Sequence, residues 1–207
     1  MADVWEMVAE QRRTTVDLVG SLDEAALATP SLCAGWAVRD VAGHLAWVAL
    51  TSPPEVAREV LLAGGRVHRA IDTQAKVYGS LETDVLLAKL RLAVDSRITT
   101  PTITPESLLS DLLVHHQDIR RPLGIDAAID PAQLRIALDH YVGANRFTGG
   151  RKRAKGLRLV AVDLDWTSGS GPEVTGPAEA LLLAAVGRGA ALADLSGDGV
   201  PALASRI

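Results

Sequence analysis

The sequence predicts a mainly α protein: a helical bundle over residues 1–148, followed by a small α+β domain over residues 149–207. Three observations predict it. Apolar residues recur at helical spacing through the first two-thirds of the chain. Cap-and-proline signals announce helix starts at Thr104-Pro105-Glu106 and Asp130-Pro131. After Gly149 the pattern turns to short alternating stretches punctuated by glycine.

Each element follows in order. Asp3 and Glu6 suit a capping box, and behind them Val4, Met7, Val8, Leu18, Val19 and Leu22 give one buried helical face. A loop over Ala28–Gly35 leads to a helix that starts near Ala37 and carries Val41, His44, Leu45 and Val48 on its inner stripe. Ser52-Pro53-Pro54 bends or breaks it, a further helical stretch follows to Leu62, and Gly64-Gly65 interrupts again. Helices are expected over Arg66–Tyr78 and Leu81–Ser96, then from the Thr104 cap to Arg121, where Pro122 stops the run. The Asp130-Pro131 helix reaches about Gly143. Gly149–Gly156, with Arg151, Lys152, Arg153 and Lys155, reads as a basic linker. Leu157–Trp166 reads as a strand, Ser168–Pro172 as a turn and Glu173–Thr175 as a short partner strand. Pro177 opens an apolar helix over Ala178–Val186, and short helical pieces around Ser196–Gly199 finish the chain.

Composition narrows the function classes. Nearly half the residues, 48%, are apolar, enough for a core that needs no staples. The net charge of −4 gives no general pull toward nucleic acid, and the few aromatic side chains make poor stacking platforms for single strands. Cys33 is the only cysteine, which excludes an internal disulfide or a cysteine-based zinc knuckle. No apolar run approaches the roughly 20 residues of a membrane helix. Met1–Glu10 is acidic and patterned as a helix, unlike a signal peptide. A soluble, cytoplasmic protein with neither nucleic-acid nor membrane partners is the expectation.

One constellation carries chemistry. Asp111 and His115 lie four residues apart on one helix, so their side chains share a face one turn apart. His116 is rotated by about 100° and points elsewhere. His44 lies on the inner stripe of a different helix, and ligands from two facing helices are how bundles build metal sites. Two imidazoles and a carboxylate suit Zn²⁺ first, with Ni²⁺ or Fe²⁺ as alternatives. Three protein ligands leave room for water or substrate. Spacing alone equally accommodates a buried histidine hydrogen-bonded to a carboxylate.

Two longer stretches resemble a known family. Ser31-Leu32-Cys33-Ala34-Gly35-Trp36-Ala37-Val38-Arg39-Asp40-Val41-Ala42-Gly43-His44-Leu45 and Ser110-Asp111-Leu112-Leu113-Val114-His115-His116-Gln117-Asp118-Ile119-Arg120-Arg121-Pro122-Leu123-Gly124 are similar to signatures of the mycothiol-dependent maleylpyruvate isomerase family, among the DinB-like metal-binding bundles. The tail Gly156–Gly176 also resembles a segment shared by a branch of that family. The resemblance implies a DinB-like four-helix bundle with a divalent ion, often zinc, on one histidine of the second helix and an acid-x-x-x-His pair of the fourth. His44, Asp111 and His115 occupy those places. It further implies mycothiol as thiol cofactor, and isomerisation or S-transfer on a small electrophile. The acid is typically Glu in the isomerase, and Asp111 is one methylene shorter.

Other residues have narrower readings. Arg39 and Arg120 are candidates for holding a substrate carboxylate, or else a surface salt bridge and a helix-end charge. Asp40 reads as a helix cap before a support for His44, and Asp118 as a partner of His115 or of Arg120 and Arg121. Cys33 and Trp36 read as packing residues, Trp36 anchoring its loop onto the bundle. His68 and His140 lack partners at useful spacing. Gly169, Gly171 and Pro172 lack the lysine and context of a phosphate loop and read as a hairpin turn. Two other functions stay open: a non-catalytic binding module with a structural or vestigial metal, and a bundle that pairs as a homodimer.

Overall fold

A computed structural model describes residues 3–99, 103–144 and 149–207, and the chain divides into two compact units, Met1–Asp126 and Ala127–Ile207. The break expected after residue 148 therefore differs from the observed division. The helix opened by Asp130-Pro131 belongs with the second unit, and residues 145–148 lie outside the described residues.

In the first unit, helix α1 (Val4–Gly20) starts at Asp3, whose carboxylate accepts the Trp5 N–H at 3.0 Å. A short helix α2 (Glu24–Leu27) and a tight loop lead into α3 (Val38–Leu50). The Asp40 carboxylate caps α3 by accepting the Ala37 N–H at 2.9 Å, as expected. Helix α4 (Pro53–Leu62) opens with a capping box, Glu55 accepting from both N–H and hydroxyl of Ser52, and buries none of its residues. Helices α5 (Val67–Gly79), α6 (Thr83–Ala93) and α7 (Pro105–Arg120) complete the unit. α1 packs on α6 and α7, and α3 packs on the same two, which closes a four-helix ring; α5 lies against α3.

Two close approaches fix this ring. A Cβ on Gly43 would meet the Gly79 backbone N at 2.5 Å and the Ala75 carbonyl at 2.6 Å, so α3 and α5 cross backbone to backbone one residue before His44. On α1, Arg12 is buried, and its guanidinium donates to the carbonyls of Ala93 (2.9 Å) and Ser96 (2.6 Å) at the end of α6. The Ala93 carbonyl, at the last residue of α6, also accepts the Ser96 N–H at 3.1 Å. Burial lowers the Arg12 pKa to about 10.

α7 ends as the proline predicts. A 3-10 turn over Arg121–Leu123 passes into left-handed Gly124 (φ 64°), and the Ile125 N–H returns to the Arg120 carbonyl.

In the second unit, α8 (Pro131–Leu138) is capped by Asp130 and continues as a π-helical turn over Asp139–Ala144. Helix α9 (Gly150–Ala154) occupies the stretch expected to be a linker. The left-handed glycines Gly149 and Gly156 bracket it, and the Arg153 guanidinium reaches the Ala185 carbonyl at 3.2 Å. With no apolar period, that stretch carries no helical signal. The single strand expected over Leu157–Trp166 is instead β1 (Arg158–Ala161) and a turn, with β2 (Thr167–Gly169) folding back antiparallel. The chain leaves the sheet because Asp163 accepts the Ala178 N–H at 2.8 Å and Trp166 donates its indole N–H to Asp139 at 2.7 Å. β3 (Glu173–Gly176) pairs parallel to β1, giving the order β2-β1-β3. Helix α10 (Ala178–Ala185) follows, as predicted from Pro177. The closing helical pieces lie at Gly189–Asp194 and α11 (Val200–Ala204) rather than around Ser196, which makes a β-bridge with Thr175.

Candidate metal centre

His44 on α3 and Asp111 and His115 on α7 meet inside the helical ring. Each offers one ligand atom, and those atoms all lie within 4.8 Å of one another. His44 Nε2 is 3.4 Å from one Asp111 oxygen, and His115 Nε2 is 3.5 Å from the other. The one-turn spacing of Asp111 and His115 on α7 does what it predicts. The histidine side chains are 7% and 9% exposed and that of Asp111 is 33%, so the group opens to solvent on the carboxylate side.

The surroundings favour ligand forms. Asp118, fully buried, accepts from His115 Nδ1 at 2.8 Å, which turns Nε2 toward Asp111 as the ring nitrogen available to a ligand. Burial pushes the His44 pKa down, against the neighbouring Asp111 carboxylate, which pushes it up; the net direction is toward neutral imidazole. His44 Nδ1 is buried with no hydrogen-bond partner among the described residues. Two imidazoles and a carboxylate converging from two helices form a donor set that fits a divalent cation.

Trp36 closes one side. Its ring lies nearly parallel to His115 (centroids 5.9 Å apart, 25°) and tilted against His44 (5.2 Å, 45°), while the two imidazoles meet edge to face at 4.8 Å. Its loop is built by the Ser31 N–H and hydroxyl both donating to the Trp36 carbonyl, by left-handed Gly35, and by the Leu32 N–H donating to the Asp118 carbonyl on α7. Trp36 does anchor this loop, but its contact with both imidazoles escaped the sequence reading. The available signal was its place in the same motif as His44.

The arginine candidates engage other groups. Arg39 donates to the carbonyls of Gly79 (2.5 Å) and Leu81 (2.9 Å) and pairs with Glu24 at 3.3 Å. Arg120 is buried and donates to Gln117 and to the Ile125 carbonyl. His116 is buried and does not belong to the ligand group. Burial, reinforced by the Arg120 charge, lowers its pKa to about 4. Cys33 is half-buried in the Trp36 loop and outside the ligand group.

Residues 8–107 match the family model described as the mycothiol maleylpyruvate isomerase N-terminal domain, a stretch that includes His44 and ends before Asp111. Two crystal structures share the fold. One is of the mycothiol-dependent maleylpyruvate isomerase, at 16% identity and a TM-score of 0.65. The other is of a histidine-to-alanine mutant of that enzyme, at 13% identity and 0.59. Each comparison covers 94% of this chain and 91% of the other. No curated protein matches the sequence. Over residues 8–107 the chain is thus similar to the N-terminal domain of the mycothiol maleylpyruvate isomerase family, and the two crystal structures share its fold.

Proposed function

We propose that the protein is a metal-dependent, mycothiol-dependent enzyme, an S-transferase or isomerase for a small electrophilic substrate. The observation that carries this reading is the convergence of His44, Asp111 and His115 in a bundle similar to that of this family. Those three residues would hold a divalent cation, Zn²⁺ in first place. When bound there, such a cation stabilises a thiolate over the thiol. The only protein cysteine, Cys33, lies outside the group, so the sulfur is supplied by an external thiol, and the family description names mycothiol.

The remaining work falls to this chain's own side chains. Asp118 accepts from His115 Nδ1 and so orients Nε2. Burial keeps His44 neutral and able to ligate. Trp36 excludes water from one side, and the partly exposed Asp111 marks the side from which thiol and substrate enter. Arg39 and Arg120 are read as frame residues, because backbone carbonyls and neighbouring side chains engage their guanidinium groups.

The test begins with the metal content of the purified protein and of His44→Ala and Asp111→Ala. Stoichiometric metal in the wild type and its loss in both variants are expected. Mycothiol-dependent consumption of maleylpyruvate, followed by a panel of other small electrophiles, then reads the activity. A metal-free wild type whose stability is unchanged in both variants would overturn the reading.

A further inference from the structure

Two imidazoles serve one ion best when their ring planes are fixed before it arrives, because any freedom must otherwise be lost on binding. His115 is tethered through Nδ1 to Asp118. His44 Nδ1 has no such tether among the described residues. What His44 has is the Trp36 ring, 5.2 Å away and tilted at 45°, and the same indole lies over His115 at 5.9 Å and 25°. One aromatic plane therefore sets both rings.

That plane needs a determinant of its own. Rotation of an indole about χ2 has a broad, shallow preference, so ring packing alone leaves its tilt loosely set. Trp36 is buried, and a buried indole N–H needs an acceptor. It finds one 36 residues away: Nε1 donates to Asp72 Oδ1 on α5 at 2.9 Å. Lys76, one turn along α5, pairs with that same oxygen at 2.8 Å. Together the lysine and the indole hold the Asp72 carboxyl below its ordinary pKa, which keeps it a carboxylate. The backbone crossing of α3 and α5 at Gly43 and Gly79 keeps the Asp72 helix against the His44 helix.

We propose that Asp72, acting through the indole N–H of Trp36, is a positioning residue that presets His44 and His115 for the metal ion. This rests on the metal reading above. It assigns α5 a part in the centre although it contributes no ligand.

The test uses the full chain and three variants. Asp72→Leu removes the acceptor but keeps the indole, Asp72→Asn keeps a neutral acceptor, and Trp36→Phe keeps a ring without an N–H. In metal-free protein, NMR reads the imidazole ring-proton shifts of His44 and His115, which the indole ring current makes sensitive to its tilt. A Co²⁺ titration then reads affinity and the ligand-field spectrum. Asp72→Leu is expected to move both sets of imidazole shifts and to weaken Co²⁺ binding about tenfold, the scale of residues that orient a ligand from behind. Asp72→Asn should stay close to wild type, and Asp72→Leu added to Trp36→Phe should weaken binding no further than Trp36→Phe alone. Unchanged imidazole shifts and unchanged Co²⁺ affinity in Asp72→Leu would overturn the proposal. A wild-type protein with no Co²⁺ affinity would sink the metal reading instead, and the shifts in metal-free protein would still decide whether Asp72 positions the rings.

Discussion

Helices α7 and α10 are both buried along most of their length, yet they are made differently. α10 is buried through Ala, Leu, Leu, Leu, Ala and Ala over residues 180–185, with no polar side chain among them. α7 buries Leu108, Leu109, Leu112, Leu113 and Ile119, but also Ser110, His115, His116, Gln117, Asp118 and Arg120. An apolar helix in a core follows from hydrophobic burial alone. Buried polar groups are costly unless something compensates them. In α7 the compensation is visible for most: His115 with Asp118, Arg120 with Gln117 and the Ile125 carbonyl, Ser110 with the Glu106 carbonyl. The contrast separates a helix buried by apolar side chains alone from one that also carries the residues of the candidate site.

Three experiments would break or sharpen that contrast, in order of expected effect. Leu183→Ala in the core of α10 should lower stability by about 2–5 kcal/mol through lost burial and a residual cavity. Metal binding per folded molecule should be unaffected. Urea unfolding combined with Co²⁺ titration checks both, and a parallel loss of affinity would show that α10 is not purely structural.

Acid should act on the α7 side. The folded pKa of His116 is lowered to about 4 from an ordinary 6.5, mainly by burial, and burial lowers that of His44 as well. The unfolded chain therefore takes up these protons first as pH falls. Stability is full above the ordinary value and is lost as pH drops toward the folded one. For His116 the loss is up to about 3 kcal/mol. Urea midpoints of metal-free protein from about pH 7 down to about pH 4 read this slope. His116→Phe should flatten it, and an unaltered slope would place the acid sensitivity elsewhere.

Gly43→Ala tests the crossing that sets α3. Alanine gains helix propensity over glycine, by up to about 1 kcal/mol. However, the added Cβ meets Gly79 N at 2.5 Å and the Ala75 carbonyl at 2.6 Å, and backbone atoms cannot swing away. A net loss of about 1–3 kcal/mol is expected, with weaker Co²⁺ binding because His44 is the next residue. Thermal unfolding and the same titration give the answer. A stabilised variant would mean that the two helices can part without disturbing the site.

Much of this was legible without coordinates because it rests on local rules. The α7 start follows from Thr104 and Pro105 and its end from Pro122 and Gly124. The α10 start follows from Pro177. Asp111 and His115 share a face because they lie one turn apart, and Asp118 reaches His115 for the same reason. Helix α9, in the basic stretch Arg151–Lys155, is not legible in the sequence because it has no apolar face and is held by left-handed glycines and by Arg153 at the Ala185 carbonyl. The bend that ends β1 and turns the chain back into β2 is not legible in the sequence because it depends on Asp163 accepting from the first residue of a helix fifteen residues later.

The sequence by itself therefore determined the helices of the first unit, most of their ends and the residue types of the candidate site, all set by contacts within a turn or two of chain. Only the tertiary structure decided that His44 reaches Asp111, that the Trp36 ring spans both imidazoles, and that Asp72 holds that ring. Those contacts join residues far apart in sequence. The backbone-to-backbone crossing at Gly43 and Gly79, which no local pattern encodes, holds the helices of His44 and Asp72 together.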